Sequence, residues 1–189
     1  MAMTAAYLAL LALVACGRII ELGISRRNQK RMLAQGVPKI HEPHFPWMVV
    51  LHSVILAGAA LEVVLLHRPL IPALAIPMGV IFVLANLLHW WVIRTLAGHW
   101  NVQVMASSRT GVISSGPYRW IRHPNYDAVI AELFALPMIH TAWITALLGT
   151  IAHLEILRRR LRVEDAVLLA DPVYREAMGN KPRFLPRLF

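Results

Sequence analysis

MAMTAAYLALLALVACG, residues 1–17, carries no charged side chain. A helix needs about 20 predominantly apolar residues to cross the hydrocarbon core of a bilayer, and the run predicts a span over residues 4–24. It lacks the basic leading segment of a cleavable signal peptide, so it is read as a retained span. Cys16 lies alone inside it, which leaves no disulfide framework and no cysteine-based metal site. Two further apolar stretches, residues 47–66 and 71–93, predict a second and a third span. The whole chain agrees. It is 58% hydrophobic, 15% charged and of mean hydropathy +0.56, whereas charge runs near a quarter in ordinary soluble domains. The length of 189 residues suits one domain, with residues 1–93 supplying spans and residues 94–189 the polar half.

Between the first two spans, Arg26, Arg27, Lys30, Arg31 and Lys39 read as an interfacial basic loop that Pro38, Pro43 and Pro46 close. Arg18 and Glu21 stand three apart near the end of the first span and can pair on one helix face. Residues 94–125 read as a polar loop. Two shorter apolar helices, 126–139 and 142–157, follow as a hairpin, spanning or re-entrant. From Arg158 the chain is polar, an amphipathic C-terminal helix interrupted at Asp171-Pro172. The expected fold class is all-α and polytopic, with about five transmembrane segments, the last two a hairpin, and a cytosolic C-terminal helix.

Net charge is +9. The cations flank apolar runs, a placement that suits anionic lipid headgroups rather than nucleic acid. Lys and Arg number five in residues 25–46, four in 94–125 and eight in 158–189. Only Arg68 falls on the other side. The positive-inside rule then predicts an outside N-terminus and both large polar regions in the cytoplasm, able to build one site together.

Three constellations can carry chemistry. GPYRWIRHPNY, residues 116–126, packs Arg119, Arg122 and His123 with Tyr118, Trp120 and Tyr126. It is either a basic-aromatic interface anchor or a loop that holds a polar, partly aromatic ligand. Arg160 and Glu164 share a helix face with Asp165 beside them, as an exposed salt bridge or as site residues. Glu132 lies inside an apolar helix, where a carboxylate needs a partner or a job. Arg122, His153 or a backbone donor is the expected partner. No two of His89, His99, His123, His140 and His153 form HxxxH or HExxH, so no metal is expected. There is no strand pattern, no GxGxxG after a strand, no GxSxG and no Walker-type loop.

GPYRWIRHPNY, an apolar hairpin, RLRVED and Tyr174 beyond it together resemble the isoprenylcysteine carboxyl methyltransferase family of integral membrane enzymes, over residues 86–186. The resemblance implies S-adenosylmethionine as cofactor. It places cofactor contacts on Gln103, on Thr110, Gly111, Val112 and Ile113, on Tyr118, on His123, Pro124, Asn125 and Tyr126, and on Glu164. Arg160 falls on the family's substrate-carboxylate contact. Asp165 stands where a second glutamate is common and is assigned with Arg160 to the catalytic pair. Gly116-Pro117 resembles the bacterial branch, which implies a bacterial inner-membrane protein. Some of that branch resemble enzymes that O-methylate alkylpyrones or alkylresorcinols.

These residue types suit methyl transfer. Glu164 can take the cofactor ammonium, and His123 or a backbone N–H its carboxylate. Tyr118, Tyr126 and Trp120 offer flat faces to the adenine and the sulfonium. Arg160 can hold an acceptor oxyanion with a planar fork, and Glu132 is assigned to the acceptor pocket wall or to a structural hydrogen bond. The expected activity is O-methylation of a lipophilic acceptor, an isoprenylcysteine-like carboxylate or an alkylpyrone-like hydroxyl, reached from the membrane lipids. Two alternatives stand beside it: a phospholipid N-methyltransferase, and a non-enzymatic scaffold or small transporter.

Overall fold

Helix α1 (Ala2–Ala34) does not stop where the charges begin. Residues 25–34, expected as an interfacial loop, continue the helix, because nothing before Gly36 breaks it. Gly36 adopts φ 77°. Its N–H reaches Leu33 O at 3.0 Å, and Val37 N reaches Met32 O at 3.0 Å, the glycine-terminated cap that satisfies the last carbonyls. At 1.5 Å per residue α1 is about 50 Å long, against a hydrocarbon core of about 30 Å. The polar extension has a docking role. Asn28 donates to Ala97 O and Trp100 O at 2.9 and 2.8 Å, and Gln29 donates to Gln103 Oε1 at 2.9 Å.

The computed structural model describes residues 2–42, 44–105 and 111–185. Among them the fold is all-helical, with no strand and one isolated bridge between Lys39 and Met105. After α1 come α2 (Phe45–Leu65), α3 (Pro72–Leu96), α4 (Pro124–Met138), α5 (Trp143–Ala170) and α6 (Pro172–Met178). Single 3-10 turns cover Ala97–His99 and Gly116–Arg119 inside the expected polar loop. Pro at N1 or N2 starts α2, α3, α4 and α6, where the missing N–H costs nothing. α1, α2 and Pro72–His99 are long and apolar enough to cross a membrane.

The C-terminal helix is not a separate element. The second arm of the hairpin and the polar stretch after Arg158 are one helix, α5. Residues 151–170 contain neither Gly nor Pro, so the chain has no reason to break until Asp171-Pro172. There the Asp171 carboxylate caps α6 by accepting from Val173 N at 2.9 Å and Tyr174 N at 3.3 Å. The outer face of α5 is apolar through Leu147, Leu148, Ile151 and Leu154. It turns charged at Glu155, which pairs with Arg158 and Arg159.

α2 and α5 pack antiparallel along a seam of matched pairs. Glu62 accepts from Ile144 N at 3.2 Å and from Thr145 N and Oγ1 at 2.8 and 2.7 Å. A carboxylate at a helix N-terminus is well placed by the helix dipole. One turn on, a Cβ at Gly149 would lie 2.7 Å from Ile55 Cγ1, so only glycine allows this approach. The turn between α4 and α5 docks on the ends of other helices. Thr141 Oγ1 donates to Pro69 O at 2.6 Å, and Tyr7 OH donates to Leu136 O at 3.2 Å. Tyr7, Leu11, Ala59, Val63, Leu136 and Ala142 form the core there.

Candidate functional site

The turn Gly116–Arg119 and the N-terminus of α4 meet the polar half of α5 at a chamber of about 530 Å³, within the usual range for a ligand pocket. His123 heads α4. Its Nε2 is 2.9 Å from Asp165 Oδ1, and its Nδ1 lies 3.9 Å from Glu164 Oε1. Tyr126, one turn into α4, donates its hydroxyl to Glu164 Oε2. The i, i+1 spacing of Glu164 and Asp165 splits their tasks. Glu164 faces the chamber, whereas Asp165, 4% exposed, is absent from its wall.

Asp165 instead ties three segments together. Besides His123 it meets Arg122 Nη1 at 3.5 Å and Arg183 Nε at 2.6 Å. The C-terminal tail is strapped over the loop by backbone bonds from Arg122 N to Pro182 O at 2.9 Å and from His123 N to Arg183 O at 3.0 Å. Burial pushes the Asp165 carboxyl up, but the His123 bond and the charges of His123, Arg122 and Arg183 outweigh it and hold it below the usual carboxylate range. A carboxyl depressed on folding stabilises above its unfolded value, about 3.9, and that contribution is lost as pH falls through the lower folded value. The thermal midpoint of Asp165→Asn is therefore expected to lie below the parent's at pH 6, with the gap closing below about pH 4. A gap that stays constant down to pH 3 would show that the carboxylate charge is not what holds the strap.

Ten of the sequence-predicted residues line the chamber: Gln103, Gly111, Val112, Ile113, Tyr118, His123, Asn125, Tyr126, Arg160 and Glu164. Pro124, Asp165 and Glu132 are not on its wall, and Thr110 lies outside the described residues. Tyr118 and Tyr174 line it too, and burial raises both hydroxyls far above the usual phenol range, so they present neutral rings. Trp120 does not. It is 46% exposed, lies edge-on to Trp91 at 6.0 Å and under Arg119 at 5.2 Å. Its expected place as an adenine face is corrected to that of an outward aromatic anchor.

One alternative falls and one further expectation is corrected. Arg160 does not pair with Glu164. Its Nε meets Glu42 Oε2 at 3.2 Å, and its Nη2 donates to Val102 O at 2.7 Å. Segment 37–42 carries Glu42 there by running beside residues 102–105, with Ile40 N on Val104 O at 3.1 Å. Glu132 does not meet Arg122 or His153. It takes Arg18 Nη2 at 2.7 Å, and Arg18 Nη1 takes Glu21 at 2.8 Å. The Arg18–Glu21 pair is as the spacing predicts.

Arg122, Arg18 and His52 are among the wall residues that went without a site role in the sequence. Glu42, behind Arg160, did too, although it is the single acid among five cations in residues 25–46, a signal in itself. Arg122 is 9% exposed, yet among the described residues its Nε has no partner and its Nη1 only the 3.5 Å ion pair with Asp165, and Asn125 Oδ1 has no hydrogen-bond partner either. An open donor on a buried cation, on the same chamber wall as Glu164, fits a zwitterionic amino-acid end, ammonium to Glu164 and carboxylate to Arg122. Among the described residues no group of three or more His, Cys, Asp or Glu is arranged to hold a metal ion.

A family model described as the isoprenylcysteine carboxyl methyltransferase (ICMT) family matches residues 75–170, about half of the chain. The chain is 26% identical over 159 residues to the uncharacterized protein YpbQ of Bacillus subtilis, covering 84% of this chain and 94% of that one. It is 27% identical over 153 residues to an uncharacterized protein of Haemophilus influenzae, covering 80% of this chain and 88% of that one. Glu164, Arg160, His123 and Tyr126 fall inside the matched segment, and Glu42, Arg18 and His52 outside it.

Proposed function

This chain belongs to the isoprenylcysteine carboxyl methyltransferase family, and on that premise we propose that it is an S-adenosylmethionine-dependent O-methyltransferase acting on a lipophilic acceptor. The observation that carries the reading is Glu164 held against His123 at 3.9 Å and bonded by Tyr126, on the wall of one chamber. When bound, S-adenosylmethionine supplies a sulfonium-activated methyl group. Glu164 would hold its ammonium and Arg122 its carboxylate, the neutral rings of Tyr118 and Tyr174 would offer faces to its adenine, and Asp165 orients His123 as a positioning residue. Methyl transfer is an in-line displacement. The protein's main contribution is approach geometry and exclusion of water.

The acceptor's tail lies between the spans. Ile19 and Val49 line the chamber while 68% and 38% exposed, so the wall between α1 and α2 opens sideways toward lipid. In this reading α4 and α5 cross the bilayer as fourth and fifth spans. The support is the docking of the hairpin tip on Tyr7 and Pro69, at the N-terminal end of α1 and the turn between α2 and α3. Those lie outside, and the chamber mouth is cytoplasmic under the positive-inside rule. The Arg160 cation on the wall disfavours an amine acceptor such as a phospholipid headgroup.

The test is cofactor affinity in detergent. Losing a charge-assisted hydrogen bond costs about 1.5–3 kcal/mol, roughly a tenfold to hundredfold weakening. Glu164→Gln is expected to show that loss, and His123→Ala a loss in the same direction. Parent-like affinity in both variants would sink the reading.

A further inference from the structure

Away from Glu164 the chamber continues between the spans and ends on ring nitrogens that no protein group satisfies. His153 on α5 is 1% exposed, and neither of its ring nitrogens has a hydrogen-bond partner. His52 on α2 stacks on it at 5.3 Å and 28°, and its Nε2 is also unpartnered. Both rings line the chamber. An unpartnered buried polar group destabilises a fold. The seam has no structural need of them. Its neighbouring pair, Ile55 against Gly149, closes on apolar contact alone, and two aliphatic side chains would seal the next turn more cheaply.

The charges around the pair are already matched. From α1, Arg18 is held by Glu21 and Glu132. From α3, His89 Nε2 sits 3.4 Å from Glu21. From α4 the chamber receives Val129 and Tyr126, the latter bonded to Glu164. On α5 itself Arg160, two turns from His153, is held by Glu42. Among the described residues no cation at this end is left to hold a carboxylate. Besides the Nδ1 of His89, whose ring already faces Glu21, the groups left open there are two imidazoles, each able to accept one proton and donate another.

We propose that His153, with His52 stacked beside it, is the general base of the methyl transfer, and that the acceptor group it serves is a neutral ionisable hydroxyl on a lipid tail. This rests on the methyltransferase reading above. As the acceptor oxygen bonds to the methyl carbon, the carbon–sulfur bond of the methyl-sulfonium donor breaks and its electron pair stays on sulfur. The hydroxyl proton passes to an open ring nitrogen of His153. One positive charge leaves the sulfonium and one appears on the imidazole, so the chamber's net charge is unchanged. That matters where water is excluded and a new charge would be costly. A carboxylate acceptor has no proton to give and no use for the pair.

The experiment compares parent, His153→Gln, His52→Gln and His140→Gln in detergent. His140 is 2% exposed with both nitrogens unpartnered, but it lies outside the chamber. The probes are pentadecylresorcinol, S-farnesylthiopropionic acid and an alkyl-tailed nitrophenol. General base catalysis is worth roughly 10²–10⁴. Methylation of the resorcinol is expected to fall by at least about 10²-fold in His153→Gln, with cofactor affinity unchanged and His140→Gln near the parent. The nitrophenol, supplied above its pKa as the phenolate, has no proton to give, so its methylation is expected to fall little in His153→Gln. Parent-like resorcinol turnover in His153→Gln overturns the inference, as does an equal loss on the resorcinol and the nitrophenolate, or a parent that methylates only the carboxylate probe. Should His153→Gln lose cofactor binding through misfolding, His52→Gln decides by the same comparison: a loss on the resorcinol that the nitrophenolate escapes supports the inference, and an equal loss or none overturns it. A parent that binds no cofactor at all sinks the methyltransferase reading instead, a different outcome from an unchanged His153 variant.

Discussion

Glu42→Gln is expected to destabilise the protein by about 3–5 kcal/mol, the cost of leaving one member of a buried ion pair without the other. Arg160 is 8% exposed, and its partner's side chain is 4% exposed. The guanidinium lies 5.7 Å over the Tyr126 ring, with Nη1 3.2 Å from Met48 Sδ, so these neighbours offer no second carboxylate in place of a lost one. Glu42 also accepts from Val104 N, and through it segment 37–42 is fastened to the connection that carries Gln103. Activity is expected to fall with stability, because Arg160 and Gln103 both face the chamber. Adding Arg160→Met to Glu42→Gln is expected to recover much of the stability and none of the activity, since it removes the uncompensated buried cation that the single substitution leaves. Thermal unfolding of the two singles and the double in one detergent gives the coupling directly. Additive singles, or a Glu42→Gln variant as stable as the parent, would mean the ion pair is not what closes this side of the chamber.

The three long apolar helices and the half that carries most of the chamber were legible in the sequence for different reasons. A long uncharged run such as residues 1–17 is a statement about lipid that needs no tertiary information. Gly116 to Tyr126 and the Arg160–Glu164 spacing are local patterns, and the fold brings Tyr126 and His123 to Glu164 as the resemblance implies. What the sequence hid depends on contacts across the chain. The basic run after Arg26 looks like a loop because its charges are visible, whereas the Ala97 and Trp100 carbonyls that hold Asn28 in a helix are not. Arg160 and Glu164 share a helix face, but an acid more than a hundred residues earlier outcompetes Glu164 for the guanidinium. Helical periodicity cannot see that competition. The break between hairpin and C-terminal helix was placed by polarity alone, and polarity changes along α5 without any change in backbone.

Arg18→Met is expected to cost more than Glu132→Gln, by at least about 3 kcal/mol, because it strands the buried Glu132 carboxylate and leaves Glu21 only His89, where the other substitution leaves no carboxylate unpaired. Arg18 bridges Glu21 at 2.8 Å and Glu132 at 2.7 Å. The two acid side chains are 8% and 5% exposed, and Glu132 Oε1 has no second partner. Ionisable groups at membrane depth persist when they neutralise one another or when they act on a ligand. The two accounts separate here. If Glu132 contacts the acceptor, Glu132→Gln raises the acceptor KM and leaves the melting temperature alone. If it anchors Arg18, Glu132→Gln lowers the melting temperature and leaves the KM alone, because the guanidinium keeps Glu21 and keeps its place on the chamber wall. The structure favours the second outcome, since Arg18 lines the chamber and Glu132 stands behind it. Arg18→Met is then expected to do both, unfolding at lower temperature and binding the acceptor less well. A single preparation of each variant, melted in detergent and assayed across acceptor concentration, is enough to tell them apart.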